Sequence, residues 1–424
     1  MIETTTVIFI LIYLFTILLA ATEIVTLSVA ALTGGLLSVW FGLSYGLFNY
    51  NEALAFVDIK ILALLVGVMV VIEVAEESGI FHVLSLYTIK LAGGNPTKLF
   101  FSICFTAAIV SLFLSDVTAI LLIAAAAGTI ARILDYDPTP YFVSSAIMVN
   151  LGGVSTMIGS ISNMIIAVSS GLSFVEFINY LTLCEVILWI LTSVILYIYF
   201  KPRLGKKKNP PQFNPWEVIK DRSLFRKSLF ILILFLFLFF IYDVWNVGPE
   251  AVALGCAILA LAISGVDPSE IFKRLDWETI FFIGGFFLII GGVEKTGLLT
   301  STSRWIFNFS GGNQLIAVLI TLWSSGLASA FVSNIAIALT YTPIIKGLQL
   351  PDLTPIWSAL VLGTNLGGAS TPFSGAVCVL VMSALKREGI KLSFSEFTKI
   401  GFLTSFAQLA FSTLYLFVRF NLWS

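Results

Sequence analysis

One apolar pattern broken by polar residues occurs twice in this chain, and no other feature restricts its fold as much. LSDVTAILL at 114–122 returns as VSNIAIALT at 332–340, and NLGGVST at 150–156 returns as NLGGAST at 365–371. Asp58 and Asp276, Glu76 and Glu294, Gly93 and Gly311, and Ser115 and Ser333 are each 218 residues apart. The offset becomes 215 between Asn150 and Asn365 and 220 between Ser173 and Ser393, as small insertions and deletions produce. Paired apolar segments interrupted in this way are the mark of a secondary transporter, with its site where the repeats meet.

Composition supports a chain that lives in lipid. Apolar residues make up 58% and charged residues 11%, and the mean hydropathy is +1.01, too little charge to cover a water-soluble fold of 424 residues. Apolar runs at 7–20, 61–72, 229–241 and 280–290 recur along the whole length, which excludes a single anchor. The start, MIETTTV, lacks the basic region of a cleaved signal peptide. The net charge of -1 says nothing about partners. Four scattered cysteines (Cys104, Cys184, Cys256, Cys378) and a single histidine, His82, offer no metal-ligand spacing, so no metal and no cofactor are expected. Cys378 alone follows a repeated segment closely enough to approach a solute.

The main hydrophilic stretch, 201–227, carries nine lysines and arginines against Glu217 and Asp221, and four prolines that prevent one continuous helix. The positive-inside bias makes it the cytoplasmic linker between two halves, a reading placed ahead of a nucleic-acid or anionic-lipid role. The domain plan is then N-terminal scaffold helices at 1–57, repeat one at 58–200, the linker at 201–227, scaffold helices at 228–275 and an inverted repeat two at 276–418. In repeat one a hairpin covers 97–134 and a broken helix 140–171. In repeat two the hairpin covers 313–349 and the broken helix 353–385. Each leg around Ser115 and Asp116 has about 18 residues at ~1.5 Å rise, marginal for a ~30 Å core, and the same polar break recurs at Ser333-Asn334, so both hairpins read as re-entrant, with two ordinary spans joined at Asp116 as the alternative. Five crossings per half would put both termini outside a multi-pass plasma-membrane protein. Glu76-Gly79 and Glu294-Gly297 lead into amphipathic stretches that read as interfacial arm helices.

The candidate chemistry sits at the breaks. Asp116 interrupts an apolar segment, and an ionisable group at membrane depth normally faces a cavity and has a role. It suits cation or proton coupling, or capping of the second hairpin leg; its counterpart Asn334 cannot titrate. Gly152, Gly153, Gly367 and Gly368 permit helix unwinding, and Asn150, Ser155, Thr156, Asn365, Ser370 and Thr371 can satisfy or extend the freed backbone groups. Pro372 adds a second break. Glu23, at a tight turn, and Glu185, inside a span, stand out among the remaining charges. No lysine or arginine lies at a tip or break, so a bound anion would rely on helix N-termini and hydroxyls.

The tips SDVT and SNIA, the NLGG segments and GIKLSFSEFTKIG at 389–401 resemble the ion transporter superfamily, in particular the arsenite permease/NhaD-type antiporter branch, related to citrate and dicarboxylate/sodium carriers. The resemblance covers 58–200 and 276–418. It implies a homodimer in which a transport domain slides against a scaffold as an elevator. Ser115, Asp116, Thr118, Ser155 and Thr156 would form one clamshell, and Ser333, Asn334, Ser370 and Thr371 the other. The branch's Gly-Asp-Pro-Pro-Asn run survives here only as Gly159 and Asn163, and Ala336 stands where the second tip usually has threonine. The implied activity is secondary transport of a small inorganic or organic solute, with proton-coupled arsenite or antimonite efflux first. A sodium/proton antiporter or a sodium- or proton-coupled carboxylate carrier follows. Asp116 would carry the coupling proton, or sodium in the alternative. Enzyme motifs fail: GLSYG at 42–46 ends a span, not a strand, and Tyr242-Asp243 has no GxGD partner.

Overall fold

Caps written in the sequence set many helix starts in the computed structural model, which describes residues 2–21, 24–114, 116–208, 214–371, 378, 381–382, 385 and 393–422. The chain is all-helical through these residues. The first half contains α1 (Ile2–Ala21), α2 (Leu27–Ser44), α3 (Tyr50–Ala55), α4 (Ile59–Glu77), α5 (Ile80–Ala92), α6 (Pro96–Ser111), α7 (Asp116–Ile133), α8 (Thr139–Gly152), α9 (Ile161–Ser170) and α10 (Phe174–Phe200). The second contains α11 (Arg222–Ile241), α12 (Pro249–Ser264), α13 (Pro268–Arg274), α14 (Trp277–Lys295), α15 (Leu298–Ser310), α16 (Gln314–Ser329), α17 (Asn334–Lys346), α18 (Thr354–Gly367) and α19 (Phe394–Arg419).

The caps come in matched pairs. Asp58 and Asp276 accept first-turn N–H groups of α4 and α14, Asn95 and Asn313 those of α6 and α16, and Ser173 and Ser393 those of α10 and α19. α5 and α15 are each bracketed by left-handed glycines: Gly79 (φ 82°) and Gly93 (φ 55°) around α5, Gly297 (φ 80°) and Gly311 (φ 61°) around α15. A side chain there would be strained, which is why the sequence puts glycine at all four corners.

Six segments among the described residues are long and apolar enough to cross a membrane, and seven shorter apolar helices accompany them. The protein is a polytopic, all-α membrane protein. α2 packs along α14, and α4 along α12, so the long spans of the two halves interlock. Glycine makes the first contact close: a Cβ on Gly35 would fall 2.8 Å from the Gly285 carbonyl oxygen. Ser38 Oγ adds a bond to Leu288 O at 2.9 Å across the same seam.

The shorter helices gather around the breaks. α6 packs on α8 and α16 on α18, while α9 touches both α17 and α18, bringing the two halves together at their interrupted segments. The linker runs against half one: Lys208 N donates to Gly94 O at 3.1 Å, and Trp216 Nε1 donates to Tyr87 Oη at 2.5 Å. Its helical end begins earlier than the sequence suggested, because Asp221 accepts from Ser223 N and Leu224 N and starts α11 at Arg222.

Candidate functional site

The two halves tie tip to break with the same bonds. In half one α6 ends at Ser111, whose buried Oγ donates to Val149 O at 2.7 Å, near the end of α8. In half two Ser329, at the end of α16, donates to Thr364 O on α18 at 2.6 Å. Thr156 Oγ1 donates to Leu112 O at 3.3 Å, and Thr371 Oγ1 donates to Ala330 O at 2.8 Å. Gly152 and Gly367 let these helices touch: a Cβ would lie 2.3 Å from Ala108 O in one case and 2.0 Å from Gly326 O in the other. Every member of each pair keeps the repeat's offset of 218 or 215 residues.

Within half one the chain leaves helix between α8 and α9, and Asn163 holds the excursion. Its Nδ2 donates toward Gly153 O (2.7 Å), Thr156 O (2.9 Å) and Val154 O (3.2 Å). Its Oδ1 accepts from Asn365 Nδ2 at 2.8 Å, a fully buried bond from one break to the other. Asn365 also donates to Val361 O, and Asn150 Nδ2 donates to Ala146 O at 3.4 Å. Asn150 Oδ1 stands 3.5 Å from where a Gly368 Cβ would be, a second crossing between halves. Thr156 also accepts from Gly159 N at 2.9 Å, closing the turn.

Asp116 opens α7 and lies with its Oδ1 3.5 Å from Ser111 Oγ. Thr118, Ser333 and Asn334 are partly buried on the first turns of α7 and α17, and Ser370 is buried at the end of the described part of break two. Ser115, Glu23, Pro372 and most of 374–378 lie outside the described residues; Cys378 is buried. Ser155 enters through its backbone, donating N–H to Glu185 Oε2 of α10 at 2.8 Å.

Electrostatically the region depends on amides, hydroxyls, peptide groups and two carboxylates. The ion pairs among the described residues lie elsewhere: Arg203–Glu396, Lys208–Asp135, Lys273–Glu270, Arg274–Glu77 and Lys295–Glu52. No group of three His, Cys, Asp or Glu side chains among the described residues is placed to hold a metal ion. Such a site can hold a partly dehydrated ion or polar solute between two sets of backbone and hydroxyl groups.

Sequence reasoning passed over Ser111 and Ser329, although they share the 218-residue offset of Ser115 and Ser333. It marked Glu185 as unusual without finding its partner.

A family model described as the citrate transporter matches residues 17–363, which include both tips and the first break. The chain belongs to the citrate transporter family. Relatives of this citrate transporter family chain include a 46 kDa membrane protein of Mycobacterium leprae, 29% identical over 98% of this chain and 99% of its own length. An uncharacterised transporter of Mycobacterium tuberculosis is 29% identical over 86% of this chain and 87% of its own. The magnetosome protein MamN of Magnetospirillum gryphiswaldense is 25% identical over 82% and 80%. Among solved structures, the YdaH transporter of Alcanivorax borkumensis superposes with a TM-score of 0.64 at 14% identity, covering 88% of this chain and 87% of that one. That likeness speaks for the fold alone. This citrate transporter family member is thus a membrane-embedded secondary transporter for a small solute or ion, and not an enzyme. The matched family is citrate-type; the arsenite-permease and NhaD branch named from the closing segment at 389–401 gains nothing from it.

Proposed function

We propose that this protein is a cation-coupled carrier of small carboxylates of the citrate and dicarboxylate class. The observation that carries the substrate class is the citrate-transporter match through 17–363. It favours this alternative over the arsenite efflux placed first by the branch resemblance. The matched tip-to-break bonds, Ser111 to Val149 and Ser329 to Thr364, support two equivalent half-sites built as inverted repeats. On this reading α6–α7 and α16–α17 are re-entrant hairpins, and hairpins with breaks move as one elevator body against a scaffold in a homodimer. Residues 201–227 face the cytoplasm.

The solute would sit between the clamshells of Asp116, Thr118, Ser155 and Thr156 on one side and Ser333, Asn334, Ser370 and Thr371 on the other, with Ser115 completing the first. Asn163 and Asn365 would keep the two breaks in register. No lysine or arginine occurs in either tip or either NLGG segment, so a carboxylate must be met by peptide N–H groups, hydroxyls and a co-bound cation. An ionised Asp116 about 5 Å from that carboxylate would repel it by about 3 kcal/mol at an effective dielectric near 20. A proton or sodium ion on Asp116 removes the repulsion, so cation and anion load together. That is coupling in physical terms.

The test is uptake into proteoliposomes of labelled citrate, succinate or arsenite under an imposed proton or sodium gradient. The expected result is gradient-driven carboxylate accumulation that Asp116→Asn abolishes. Arsenite movement without carboxylate uptake would overturn the substrate class, and unimpaired coupling in Asp116→Asn would reduce that residue to a helix cap.

A further inference from the structure

Half one holds its break with a carboxylate at a position where half two carries a serine. α10 and α19 start on equivalent caps, Ser173 and Ser393, each bonding a glutamate N–H three residues on (Glu176, Glu396). Both helices then run unbroken, so Glu185 and Ser405 occupy equivalent positions. Glu185 is 1% exposed; its Oε2 accepts from Ser155 N at 2.8 Å and its Oε1 from Trp189 Nε1 at 3.2 Å. Among the described residues it has no ion-pair partner.

In half two, Ser370, the counterpart of Ser155, turns its N–H onto Gly367 O at 3.1 Å. Among the described residues Ser405 Oγ is buried without a hydrogen-bond partner. Contact there comes from Gly401, where a Cβ would fall 2.6 Å from both Ala369 O and Ser370 O. Through Thr371, where the described part of this break ends, its contacts are this backbone packing and the Thr371 hydroxyl bond to Ala330 O at 2.8 Å. The tips repeat the asymmetry, with Asp116 facing Asn334 across the pseudo-symmetry.

We propose that Glu185 is a second coupling residue, a positioning group that sets the break of half one according to its own charge. Ionised, it accepts charge-assisted bonds from Ser155 N–H and Trp189 Nε1–H, joined by the Ser155 hydroxyl and the Val154 N–H; on taking a proton from the open aqueous side it becomes a neutral carboxyl, these bonds weaken, and the Ser155–Thr156 turn is released. Coupling would then reside in half one alone, through Asp116 at the tip and Glu185 behind the break. This rests on the coupled-carrier reading above.

The surroundings leave Glu185 as the group to titrate. The buried faces of α6 and α8 bring Cys104 and Tyr141, that of α19 brings Tyr415, and that of α11 brings no titratable side chain, its Arg222, Arg226 and Lys227 lying outside that face. Cys184 beside it lies 3.9 Å from Ser412 Oγ. Arg203 and Arg419, at the two ends of α10, are engaged with Glu396 and Asn179.

The experiment compares wild type, Glu185→Gln, Glu185→Asp and Asp116→Asn in two measurements. Infrared difference spectra of purified protein across a pH series read carboxyl protonation without any substrate. Citrate counterflow and pH-gradient-driven accumulation in proteoliposomes separate exchange from coupling. Glu185→Gln should erase one protonation band that Asp116→Asn retains. It should also lower accumulation about tenfold more than counterflow, the worth of one charge-assisted bond, with partial rescue by Glu185→Asp. A spectrum unchanged in Glu185→Gln overturns the proposal, as does a parallel loss of both transport modes together with thermal stability. If wild type moves no citrate, the substrate reading fails, while the infrared series still decides Glu185.

Discussion

Gly367→Ala tests the close packing of tip helix on broken helix. The added Cβ would stand 2.0 Å from Gly326 O and 3.0 Å from Gly326 Cα, both backbone atoms that no rotamer change can move. Restoring an ordinary 3.4 Å contact requires α16 and α18 to part by about 1.4 Å. That movement stretches the 2.6 Å bond from Ser329 Oγ to Thr364 O beyond hydrogen-bond range. Overpacking costs about 2 kcal/mol and the lost bond about 1, while alanine's helix propensity returns about 1, for a net loss of about 2 kcal/mol. The control is Gly255→Ala in α12, where no atom lies within 4 Å of the new Cβ, so only the propensity gain of about 1 kcal/mol applies. Denaturant unfolding of purified protein in detergent should separate the two variants by about 3 kcal/mol, with opposite signs relative to wild type. Equal stability of the two would refute the close-packing argument.

Ser111→Ala and Ser329→Ala should each cost about 1 kcal/mol or somewhat more, since each leaves a buried carbonyl, Val149 O or Thr364 O, without its hydroxyl donor. Unequal costs in denaturant unfolding would show that the two tip-to-break ties are not equivalent. Outside the membrane, the backbone N–H of Ser269 holds the Asp267 carboxyl below the usual aspartate range. Its support of α13 is therefore complete above the unfolded value near 3.8 and fades as pH falls through the lowered folded value. Hydrogen exchange across 268–274 should accelerate on that acid limb in wild type and lose the dependence in Asp267→Ala.

Much of the fold is legible in the sequence because its signals are local. Asn95-Pro96 and Asp276 place helix starts by bonding N–H groups two or three residues away, and the Gly79/Gly93 pair can bracket α5 without reference to any neighbour. Where a charged segment adjoins an apolar run the boundary blurs, as at Arg222, since Asp221 could cap a helix there only if the chain turned at that point. The breaks were legible through glycine and asparagine repeated at a fixed offset. Their bonding was not.

By itself, then, the sequence determined that this chain spans a membrane, repeats one polar-broken unit and concentrates its hydroxyls, amides and Asp116 at the interruptions. It did so because apolar length, caps and glycine conformations act within a turn or two of chain. Only tertiary structure decided that Ser111 and Ser329 would tie the tips, that Asn163 would meet Asn365 across 202 residues, and that Glu185 would take the Ser155 N–H 30 residues away. Those partners are chosen by helix packing, where a buried donor must take whichever acceptor the neighbouring helix presents.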